Sequence, residues 1–119
     1  MKHLAIDYGT KRIGLAVSNA RGTMALPFGI FENNSALMMN LARIIKEEGI
    51  AKIVVGTPDY NKKTPLYKEI QRFIAELKSS LSLPVVSSDE LLTSGRGKQK
   101  SRHDLAACLI LESYLFGAC

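Results

Sequence analysis

At 119 residues the chain is long enough to bury one core and too short for two, so a single domain over 1–119 is expected. A hydrophobic content of 46% with 23% charge excludes a disordered chain, and no apolar run approaches a membrane span, so no membrane partner is expected. Sixteen Lys and Arg against eleven Asp and Glu leave a net charge of +5, which makes polyanions, nucleic acid first among them, the expected partner class. Cys108, inside an apolar run, and Cys119, at the end, have neither metal-ligand spacing nor a disulfide framework. Cys108 reads as a small buried hydrophobe. The N-terminus shows an Asp and a polar turn where a signal peptide needs its apolar stretch, and the expected location is the cytoplasm.

Leu4-Ala5-Ile6 is a short apolar run ending on Asp7, and Ile13 to Val17 is a second one beginning after Lys11 and Arg12. This is a strand, a tight polar turn and a returning strand, with Gly9 and Gly14 allowing positive φ or close backbone approach. Asn19 to Thr23 reads as a turn, and Ala25 to Phe31 as a third strand that Pro27 confines to an edge. From Ser35, Leu37, Met38, Leu41, Ile44 and Ile45 fall at helical spacing, with Asn34 or Ser35 as N-cap and Gly49 past the end. Ile50 to Val55, closed by Gly56, reads as a buried strand that feeds a loop, Thr57 to Thr64. Thr64 then caps a helix with Pro65 at its first position, and Leu66, Ile70, Phe73, Ile74 and Leu77 supply its apolar face. Pro84 to Ser88 is another short strand, with Asp89 and Glu90 at its carboxyl end. From Arg102 a last helix is apolar almost all round, hence expected to be buried. The order β-β-β-α-β-α-β-α predicts an α/β fold: a single mixed five-stranded sheet, an antiparallel meander followed by parallel strands, with helices covering it.

Ligands gather outside the carboxyl ends of strands in such sheets. Asp7, Glu90 and Asp104 are therefore candidates for one site, with the hard oxygen ligands that a phosphodiester hydrolase needs to hold Mg²⁺. Two such ions about 4 Å apart activate water and stabilise the leaving oxygen. Each acid also has a plain role. Asp7 suits a turn with Gly9, Asp89 and Glu90 suit a solvated loop, and Ser101-Arg102-His103-Asp104 fits a capping box. His103 reads as a first-turn surface residue. Arg96, Lys98, Lys100 and Arg102 put four cations between Glu90 and Asp104, where they form either a phosphate-contacting track joined by Lys11 and Arg12 or a solvated connector.

In this order, DYGTKRIGLAVS, IVVGTP, SDELLTS and HDLAACLILESYL resemble the YqgF family, also called RuvX, from Leu4 to Leu115. The resemblance implies an RNase H-like fold and a metal-dependent nuclease in which Asp7, Glu90 and Asp104 bind Mg²⁺ or Mn²⁺. It further implies processing of the 5′ end of 16S ribosomal RNA, with structured RNA as substrate and the precursor of the ribosomal small subunit as partner. Cleavage of branched DNA, as by a Holliday junction resolvase, is the alternative, and an inactive RNA-binding or ribosome-assembly module is another. Two departures stand out: Asn19 replaces a frequent Asp, and TSGRGKQKS between Leu92 and Arg102 is shorter than the segment usual in the family. D-x-G-T before an apolar strand also resembles the first phosphate loop of the actin and sugar-kinase group. That fold needs two such domains, which 119 residues do not supply.

Overall fold

The computed structural model describes residues 1–57, 64–89 and 103–116, with backbone alone for Asp89, His103 and Asp104. The elements are β1 (His3–Asp7), β2 (Arg12–Ser18), β3 (Ala25–Glu32), α1 (Leu37–Glu48), β4 (Lys52–Thr57), α2 (Pro65–Ser80), β5 (Val85–Asp89) and α3 (His103–Phe116). The strands form one sheet in the order β3-β2-β1-β4-β5. β1, β2 and β3 pair antiparallel, and β4 and β5 then add in parallel beside β1. The mixed sheet expected from the element order is the one observed. β3 is an edge strand, and its register shifts where Ala16 meets Pro27, leaving Phe28 as an extra residue between Pro27 and Gly29.

Strand alternation divides the core in two. Leu4 and Ile6, Ile13, Leu15 and Val17, Ile53 and Val55, and Val85 face α1 and α2, whose Leu41, Ile44, Ile70 and Leu77 complete one cluster. Each such buried side chain contributes about 1.5–3 kcal/mol. The opposite face carries smaller residues, Ala5, Ala16 and Val54, against Ala107, Cys108, Ile110 and Leu111 of α3. Small side chains, with Gly14 beside them in β2, let α3 lie close to the strands. Rings fix the direction of this helix. Tyr114 near its end stands 5.7 Å from the His3 ring, and the Lys52 Nζ lies 5.2 Å from the Tyr114 ring centroid. His3 and Lys52 begin β1 and β4, so α3 runs back along β1 and its first turn lies toward the edge where Asp7 stands.

Several details differ from the expectations. The N-cap of α1 is Ala36, without a side-chain bond, because the Asn34 Oδ1 accepts from the Ala36 amide in a turn just ahead of the helix. Gly49 closes α1 in the left-handed conformation at φ 68, and Thr64 caps α2 by accepting from the Tyr67 amide, both as expected. Positive φ among the described residues falls at Gly22 and Gly49, so Gly9 and Gly14 do not use it. β4 starts at Lys52 and runs on through Gly56 to Thr57. Leu66 is 39% exposed in the first turn of α2, away from the buried stripe. Among the described residues α3 is covered on one side only, with Leu105 43% and Phe116 51% exposed, because no other described helix packs on its face of the sheet. No described helix is long and apolar enough to cross a membrane.

His3 is 8% exposed, and its buried Nδ1 has no hydrogen-bond partner among the described residues. Burial lowers its pKa below 6.5; the nearby Met1 backbone opposes this, while the charges of Lys52 and the N-terminal amine add to it. The folded chain thus resists protonation that the unfolded chain accepts. Stability is fully present above pH 6.5 and is lost as pH falls toward the lower folded value. Melting temperature is expected to drop between pH 7 and 5, and to drop less steeply in His3→Gln. Equal slopes in the two proteins would assign the acid loss to other groups.

Candidate active site

β1 is buried along its length and opens at Asp7, a half-buried carboxylate on the α3 face by alternation from Ala5. Asp7 pairs with Gly14 of β2, and Ile6 pairs with Val55, which Gly56 follows. Gly56 in turn pairs with Ser88, and Thr57 with Asp89. The carboxyl ends of β1, β4 and β5 therefore share one edge, and the residues beside Asp7 in the sheet are glycines. The Thr57 Oγ1 donates to the Ser88 carbonyl at 3.4 Å across the two parallel strand ends.

Immediately after Asp7 the chain turns. Tyr8 packs its ring against Phe73 with centroids 4.8 Å apart, and its hydroxyl donates to the Glu69 carboxylate. Burial, reinforced by the hydrogen bond with Glu69, pushes the Tyr8 pKa up. From the far side the Asn33 Nδ2 donates to the Gly9 carbonyl at 2.9 Å, and the Asn33 amide donates to the Lys11 carbonyl at 2.9 Å. Lys11 and Arg12 are exposed, and with Thr10, Glu32, Asn33 and Asn34 they line an open cleft of about 300 Å³.

Asp7, Lys11 and Arg12 thus belong to one strand end and turn. Asp104 occupies the first turn of α3, and Asp89 closes β5. Glu90, Arg96, Lys98, Lys100 and Arg102 lie outside the described residues, as does Cys119, whereas Cys108 is buried as expected. Among the described residues no group of three His, Cys, Asp or Glu stands together as a metal site. Of the three expected ligands, Asp7 is the one whose side chain is described, and its chemistry fits: a hard carboxylate at a strand end, with Gly14 paired beside it in the sheet, is an oxygen donor of the kind a divalent cation takes. Tyr8, Asn33 and Glu69 were not marked by the sequence pattern, since their meeting depends on the fold.

A family model described as RuvX: Holliday junction resolvase matches residues 1–116. A protein of Maridesulfovibrio salexigens named "Putative pre-16S rRNA nuclease" is 33% identical over 132 aligned positions, which cover 97% of this chain and 98% of that protein. One of the same name from Chlorobaculum tepidum is 35% identical over 130 positions, covering 94% of this chain and 91% of the relative. The first alignment has more positions, 132, than the chain has residues, 119, so gaps fall in this chain. That agrees with a segment shorter than usual. Among solved structures, Thermus thermophilus RuvC in complex with a Holliday junction substrate superposes with a TM-score of 0.67 at 12% identity, covering 98% of this chain and 94% of that one. The fowlpox virus Holliday junction resolvase gives 0.58 at 14% identity, covering 99% and 100%. A ROK hexokinase from Thermus thermophilus gives 0.53 at 20% identity, but this chain spans 34% of its length. These likenesses show the fold, and the sheet order and register described above are those of an RNase H-like fold. With the family match running over nearly every residue and relatives similar end to end, the chain belongs to the RuvX family.

Proposed function

We propose that this chain is a single-domain, metal-dependent nuclease that processes the 5′ end of the 16S ribosomal RNA precursor in the cytoplasm, with Mg²⁺ or Mn²⁺ as cofactor. The observation that carries the reading is the placement of Asp7 at the shared carboxyl edge of β1, β4 and β5, beside Lys11 and Arg12, in a chain of this family. Relatives matched over nearly their whole length bear a name that points to pre-16S rRNA, which favours structured RNA as substrate. The family description favours a second reading, cleavage of branched DNA.

Asp7, Glu90 and Asp104 would hold the cations, and such ions, bound as a pair, supply water activation and stabilisation of the leaving oxygen. Lys11 and Arg12 attract the phosphate backbone to the strand edge and orient it there. Arg96, Lys98, Lys100 and Arg102 extend the same positive track between Glu90 and Asp104. The start of α3 adds the positive end of its helix dipole on the phosphate side.

A panel of labelled structured RNA, single-stranded RNA and a four-way DNA junction, incubated with Mg²⁺ or Mn²⁺, tests the reading. Metal-dependent cleavage of structured RNA is expected. Cutting of the junction alone would move the assignment to branched DNA, and tight binding without cutting would make the chain an assembly module. The basic track has its own test: Lys98→Ala with Lys100→Ala should weaken binding similarly across sequences and make the slope of log K against log salt shallower by up to about two units. An unchanged slope would return that segment to the status of a solvated connector.

A further inference from the structure

Resting on the nuclease reading, we infer that Glu69, acting through Tyr8, and Asn33, acting through the carbonyls of Gly9 and Lys11, are positioning residues that set the Asp7 carboxylate from the opposite face of the sheet.

Asp7 and Tyr8 are consecutive residues, separated by one planar peptide. Asp7 lies on the α3 face, and Tyr8 packs against the cluster beneath α1 and α2. A shift of the Tyr8 backbone therefore carries Asp7 with it. Tyr8 is held at two points, its ring against Phe73 and its hydroxyl on Glu69. Glu69 precedes Ile70, which is 1% exposed, so the acceptor rides on a turn of α2 that is anchored in the core.

Asn33 completes the clamp. It leaves the end of β3 and makes two hydrogen bonds of 2.9 Å to the turn, so that β3 and α2 grip the segment from either side. Tyr8 packs on the α1 and α2 side of the sheet while Asp7 lies on the α3 face, so the effect of the clamp on cleavage passes through geometry. Misplacement of a reacting group by about 1 Å costs on the order of 10²-fold in rate. A clamp that allows a fraction of that displacement when it is cut should cost about tenfold.

Single-turnover cleavage of the best wild-type substrate tests this with Tyr8→Phe, Glu69→Leu, Glu69→Gln and the double variant Tyr8→Phe with Glu69→Leu. The two single removals should each lower the saturating rate about tenfold, with the half-saturating concentration within about twofold of wild type. The double variant should be no slower than either single, and Glu69→Gln, whose amide oxygen still accepts, should recover most of the rate. A second readout needs no cleavage. Amide hydrogen exchange across Gly9 to Arg12 should quicken about tenfold in Tyr8→Phe while Ile53 to Val55 stay protected. Losses that multiply in the double variant, a change confined to the half-saturating concentration, no rescue by Glu69→Gln, or unchanged exchange in the turn would each overturn the assignment. A wild type that cuts none of the panel sinks the nuclease reading instead, and the exchange result then decides the clamp alone.

Discussion

Asp7→Asn is expected to lower the cleavage rate by at least about 10²-fold while leaving the far-UV circular dichroism spectrum and nucleic-acid affinity close to those of the wild type. The substitution keeps the shape of the side chain and removes one charge. Asp7 belongs to neither hydrophobic cluster and sits half-buried at the last residue of β1, so an amide of the same shape disturbs no apolar packing. A neutral amide oxygen is a poor substitute for a carboxylate toward a hard divalent cation, which takes charged oxygen ligands. Binding should survive because the backbone is attracted by Lys11, Arg12 and the cations that follow Glu90, none of which the substitution touches. Calorimetric titration with Mn²⁺ supplies the direct readout, and its heat should fall with the rate. Cleavage retained in Asp7→Asn, in a preparation shown to be free of other nucleases, would remove Asp7 from the site.

The fold was legible where a local pattern has one physical outcome. Leu4-Ala5-Ile6 and Ile53-Val54-Val55 are apolar throughout because both faces of β1 and β4 are covered, by α1 and α2 on one side and α3 on the other. Thr64-Pro65 and Gly49 marked a helix start and a helix end whose chemistry scarcely depends on the surroundings. Misreadings came where two local solutions compete. Asn34 could cap α1 or close the turn before it, and it closes the turn. Leu66 has the right spacing for the apolar stripe of α2, yet the first turn of that helix stands clear of the buried face. The composition of α3 does not separate its sides, so the side that packs is known only from Ala107, Cys108 and Leu111 meeting Ala5, Ala16 and Val54.

The site shows the same division. Asp7, Lys11 and Arg12 were legible together because six consecutive residues carry them past one strand end. Asn33 and Glu69 reach that turn from 24 and 61 residues away along the chain, and no short-range pattern encodes such a meeting. Family resemblance marked Asp104 as a ligand, whereas its local sequence fits a capping box equally well.

Asp104→Asn separates those two roles. A capping acid contributes to helix stability, about 1 kcal/mol at most sites, and little to turnover; a metal ligand contributes to turnover and little to stability. The path of α3 favours the ligand. Tyr114 stands over the start of β1 and β4, so the helix begins at the opposite edge, where Asp7 closes β1. Asp104 lies in the first turn of α3, the part of the helix nearest that edge. The expected result is a protein that melts within a few degrees of wild type and cleaves about 10²-fold more slowly, with Mn²⁺ affinity reduced alongside. Asn at this position preserves size and hydrogen-bonding capacity, so a large loss of stability would not arise from shape. Melting lowered by several degrees, with an unchanged rate per folded molecule and unchanged Mn²⁺ binding, would assign Asp104 to the capping box and leave Asp7 and Glu90 to hold the metal without it.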